Sequence, residues 1–109
     1  MDPNLNKVLG ETLEDLGLPE LTNEQIKELC IVAEAAARKY VYSRVSIKNV
    51  EKLSVSAEAE GTRPVNLTVE VDIDLSPTMK NFRVKNLVET AVKEALKSAE
   101  EYLRKLTCL

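Results

Sequence analysis

A chain of 109 residues, 44% hydrophobic and 30% charged, has room for one domain with a modest core, and aromatics at 4% leave Val, Leu, Ile and Ala to build it. A formal net charge of −3 excludes a global basic footprint for nucleic acid, and the absence of histidine removes both the usual general base near neutral pH and the commonest metal ligand. Cys30 and Cys108 are too few and too far apart for a disulfide framework or a zinc motif. The start Met1-Asp2-Pro3-Asn4 resembles no signal peptide and no run of about 18 apolar residues occurs, so the expectation is a cytoplasmic protein without a membrane partner.

Leu5, Val8, Leu9, Leu13 and Leu16 recur at spacings of three and four, which predicts a short helix from Asn4 to Leu16, weakened by Gly10 and stopped by Gly17 and Pro19. Its acidic side chains, Glu11, Glu14 and Asp15 among them, make residues 1–20 an acidic N-terminal arm beside a single domain over 21–109. Thr22-Asn23-Glu24-Gln25 has the spacing of a capping box, with Leu21 and Ile26 placed as a hydrophobic staple. A main helix is therefore expected from there to about Tyr42. Its apolar stripe is Ile26, Leu29, Cys30, Ala33, Ala36, Ala37, Tyr40 and Val41, with Glu34 and Arg38 paired on the wet side.

From Arg44 the period changes to two, with an interruption at Lys48 to Lys52. This reads as one long bent strand through Glu60 or as two short ones, the second case adding a third short strand to the sheet. Gly61-Thr62-Arg63-Pro64 turns the chain into Val65 to Leu75, where Val65, Leu67, Val69, Val71, Ile73 and Leu75 alternate without a miss against Asn66, Thr68, Glu70, Asp72 and Asp74. Pairing Glu58 with Thr68 matches the faces, sets Lys52 opposite Asp74 and opposes no like charges. After Ser76-Pro77 a long amphipathic helix is expected from about Lys80 to Leu106, with Ala91, Ala95 and Ala99 inward. The fold class is α+β: an antiparallel hairpin with two long helices on one face, order α-β-β-α, plus the short N-terminal helix.

The capped helix, the V-N-L-T-V-E-V-D-I-D-L-S-P strand and the A-V-K-E-A-L-K-S-A-E-E-Y-L-R helix together resemble an uncharacterised archaeal family of small α-β-β-α proteins, over about Leu21 to Lys105. The resemblance implies a fold and no activity. More distantly, a hairpin flanked by helices is similar in topology to the small dimeric subunit of the archaeal KEOPS complex, a tRNA-modifying assembly.

No P-loop, dinucleotide fingerprint or nucleophile elbow occurs, so neither catalytic residues nor a cofactor are assigned. Asn66, Thr68, Glu70, Asp72 and Asp74 form a candidate protein interface. As metal ligands the carboxylates of this polar face, Glu58, Glu60, Glu70, Asp72 and Asp74, are poorly disposed, because a strand splays them along a surface instead of around a point, and a carboxylate-dependent metal enzyme is the remote alternative. Lys80, Arg83 and Lys85 oppose the macrodipole at the start of the last helix and are a candidate anion or RNA contact. The favoured expectation is a non-catalytic interaction protein that dimerises or docks through its sheet, the strand after the turn being the donor edge; the alternative is an RNA-binding accessory subunit.

Overall fold

The computed structural model describes residues 5–12, 21–61, 66–79 and 82–107. Its elements run β1 (Leu5–Thr12), α1 (Asn23–Arg44), β2 (Val50–Glu60), β3 (Asn66–Leu75) and α2 (Val84–Thr107). The expected α-β-β-α order and α+β class are present, with two helices over an antiparallel hairpin.

Helix α1 starts where its capping box dictates: the Thr22 hydroxyl accepts from the Gln25 amide at 3.1 Å, and the Gln25 side chain accepts from the Thr22 amide at 2.9 Å. It runs two residues past Tyr42 to Arg44, and Val45, which falls in the stretch where the period changes, closes it by donating to the Val41 carbonyl. A 3₁₀ turn over Ile47–Asn49 then absorbs the interrupted stretch, so residues 50–60 form one strand, with a register irregularity between Val50 and Lys52 where the pattern bends. The hairpin register is the one that charge and face matching select, with Glu58 opposite Thr68 and Lys52 opposite Asp74.

The sheet has three strands in the order β1-β3-β2, all antiparallel neighbours. This corrects the N-terminal helix expected from Asn4 to Leu16. Leu5–Thr12 is a strand, with Leu5 in register opposite Ile73 and Leu9 opposite Val69, while residues 1–4 and 13–20 lie outside the described residues. The physical reason is that so short a helix, weakened by Gly10, gains little by itself, whereas eight residues laid along β3 satisfy their backbone groups against a strand otherwise open on that side. A second correction follows. β3 is the central strand and has no edge to donate; of the hairpin strands, β2 lies at the margin.

Leu67, Val69, Val71 and Ile73 of β3 are buried beneath the helices, and Ala33, Ala37, Ala91, Ala95 and Ala99 are fully buried between them. Small side chains at four-residue spacing let the helices come close to each other and to the sheet. Helix α1 lies against β2 and helix α2 against β1 and β3. The start of α2 is set locally: Pro77–Met79 makes a 3₁₀ turn and Phe82 donates to the Met79 carbonyl, so the helix begins at Val84 and not at Lys80.

Candidate functional site

Two surfaces concentrate polar and charged groups. The first is a groove of about 360 Å³ at one end of the helix pair, where the last turns of α1 supply Tyr40 and Arg44 and the beginning of α2 supplies Phe82, Arg83, Asn86, Leu87 and Thr90. The Arg44 guanidinium sits 5.9 Å from the Tyr40 ring centroid, within cation–π range. Among the described residues the lining thus carries two guanidiniums, two aromatic rings, an amide and a hydroxyl, and no carboxylate. The first turn of α2 has no acidic residue either, so the positive end of the helix is not neutralised from within.

Of the three cations predicted from sequence, Arg83 lines this groove, Lys85 is exposed in the first turn of α2 without lining it, and Lys80 lies outside the described residues. Sequence reasoning missed Arg44, Asn86 and Thr90, and it read Tyr40 as core packing. The missing signal was the antiparallel pairing of α1 and α2, which brings residues 40–44 to residues 82–90. At the opposite end, Thr22, Glu24, Gln25 and Glu28 of α1 meet Tyr102 of α2 around a shallower hollow. Burial first, then Glu28, pushes the Tyr102 hydroxyl pKa above its ordinary value.

The second surface is the outer face and free margin of the sheet. Asn66, Thr68, Glu70, Asp72 and Asp74 do share one face, with Asn66 and Glu70 exposed and the other three half-buried between neighbouring strands. Alongside them β2 presents Lys52, Ser54, Ser56, Glu58 and Glu60, all exposed. Lys52 Nζ stands 3.4 Å from Asp72 Oδ2, an ion pair bridging the two strands, while Asp72 Oδ1 is buried without a hydrogen-bond partner among the described residues. Among the described residues no three of His, Cys, Asp and Glu come together as metal ligands would.

At the margin, Glu34 does not use its carboxylate on Arg38; it reaches across to β2, and Oε2 accepts the Ala57 backbone N–H at 3.2 Å. That bond reveals which way the strand faces. In an antiparallel ladder the N–H and C=O of one residue point to the same side, so Leu53, Val55, Ala57 and Ala59 direct their backbone groups away from β3. Cys30, half-buried on α1 near this margin, has its thiol pKa raised, by burial first and then by Glu34 and Glu58.

No helix among the described residues is long and apolar enough to cross a membrane. Comparison with known proteins finds 29% identity to an uncharacterised protein of Thermococcus kodakarensis over 89% of each chain. An uncharacterised protein of Pyrococcus furiosus is 26% identical, over 84% of this chain and 82% of its own. A crystal structure from Thermococcus onnurineus NA1 has the same fold, with a TM-score of 0.70 over 95% of both chains at 23% identity. The model of a family described as proteins of unknown function, DUF3194, matches residues 18–102, and the chain therefore belongs to that family.

Proposed function

We propose that this is a non-catalytic accessory protein that acts by docking, through the margin of its sheet, onto a protein partner. The observation that carries the reading is the exposure of β2: eleven residues long, it lies at the end of the strand order with a side of its backbone turned outward. An edge strand of that length is a template for another strand unless it is blocked. β2 contains no proline, and Glu34 engages Ala57 in its middle. The test uses that same residue. Because the Ala57 N–H points away from β3, Ala57→Pro removes no bond of the hairpin ladder, so the variant should fold and melt close to wild type while losing partners that wild-type protein captures from cells of the source organism. Identical capture by both would rule out docking at this margin.

A second reading rests on the helix-end groove. Its paired guanidiniums and rings suit a phosphate chain with stacked bases, which makes an RNA-binding accessory role the alternative. An Arg44→Glu/Arg83→Glu variant should then abolish a salt-dependent mobility shift of tRNA. No shift by wild-type protein at about 50 mM salt would remove this reading.

A further inference from the structure

We propose that the strand taken up by the free margin of β2 is the β2 of a second copy, giving a two-fold dimer with a continuous six-stranded sheet. The inference rests on the docking reading above and names its partner. The argument is that β2 is complementary to itself in one antiparallel register.

Outward backbone groups belong to the odd-numbered residues, as the Glu34 bond to Ala57 establishes. Faces match across an antiparallel pair when odd residues oppose odd and even oppose even. The regular part of the strand, after the irregularity at Val50/Lys52, is Lys52 to Glu60, and its midpoint is Ser56. With the two-fold axis at Ser56, every residue of this segment is paired.

On the outer face Lys52 then opposes Glu60 of the second copy, Ser54 opposes Glu58, and Ser56 opposes itself. The two Lys52–Glu60 pairs join opposite charges, and no carboxylate faces another. On the helix face Leu53 opposes Ala59 and Val55 opposes Ala57, so a large side chain meets a small one at each position. Leu53, Ala57 and Ala59 are only half-buried in the single chain, in contrast to the fully buried Leu67, Val69 and Val71 of the central strand. A second β2 covers them. Ala57 and Val55 form a hydrogen-bonded pair in this register, so the Ala57 N–H transfers from the Glu34 carboxylate to a carbonyl, and Glu34 guards the margin only while the chain is alone.

Ser56 lies on the axis in a non-hydrogen-bonded pair, where Cα atoms stand about 4.5 Å apart, within the range a disulfide spans. Full-length protein with Cys30→Ala and Cys108→Ser is the background for a cross-linking series. Ser56→Cys should form a covalent dimer under mild oxidation at least about tenfold faster than Ser54→Cys, whose two copies lie four residues out of register. Wild-type protein should show a reversible monomer–dimer equilibrium by sedimentation at tens to hundreds of micromolar. Glu60→Lys, which places Lys opposite Lys52 twice, should weaken it by about tenfold without lowering the melting temperature of the monomer. A wild-type chain monomeric into the high micromolar range overturns the proposal, as does a Ser54→Cys variant that cross-links as fast as Ser56→Cys. If the wild type is monomeric yet Ala57→Pro abolishes capture of another protein, the second copy is rejected and docking stands; if Ala57→Pro changes no capture, docking itself fails.

Discussion

Single side chains near the β2 margin have their chemistry set by what surrounds them. The Cys30 thiol is half-buried on α1, and burial together with the carboxylates of Glu34 and Glu58 disfavours its thiolate. Its alkylation by iodoacetamide, followed by peptide mass spectrometry, should be several-fold slower near neutral pH than in the urea-unfolded chain and should accelerate only above the ordinary thiol range. Equal rates in the two states would show that the thiol is accessible and unperturbed. The sign for stability follows from the same shift. A thiol whose folded pKa is raised releases its proton first in the unfolded chain, so this contribution is intact below the ordinary thiol pKa and is lost as pH rises through the folded value. Tyr102 acts in the same direction at higher pH.

Among the elements, β3 carries the sharpest division between faces. Val69 and Val71 are fully buried, whereas Thr68 is half-buried on the outer face. Val71→Asp strands an unpaired charge beneath the helices and should cost more than about 4 kcal/mol, enough to unfold a domain of this size, while Thr68→Ala should stay under about 1 kcal/mol. Thermal melts of the two variants check this, and similar losses would mean that the faces are assigned wrongly. This division was legible because eleven residues alternate without exception, and the register was legible because Lys52 and the carboxylates admit few face-matched pairings free of like-charge opposition. Thr22 and Gln25 likewise marked the start of α1 by local chemistry alone.

What escaped sequence reading at the scale of the whole molecule shares one cause: it depends on which elements become neighbours. Leu5 and Leu9, four positions apart, suit one face of a helix and one face of a strand alike, and only the open side of β3 decides between them. Arg44 and Arg83 are thirty-nine positions apart in the chain, and it is the antiparallel packing of α1 on α2 that places both in one groove. The same dependence displaced the expected donor edge from β3 to β2, since β1 occupies the other side.

The strand order also governs how the chain assembles as it is made. β3, the central strand, is the last of the three to be synthesised, so β1 and β2 leave the ribosome with no partner between them. Until Leu75 has emerged, α1 with its capping box is, among the described residues, the one long element whose backbone bonds can close locally. Pairing β1 with β3 joins residues about sixty positions apart, a loop closure that precedes any reward from the contact. The sheet is therefore completed late and nearly at once, and during that interval the nascent chain exposes two unpaired strands, the period in which a chaperone or a second nascent copy would meet them.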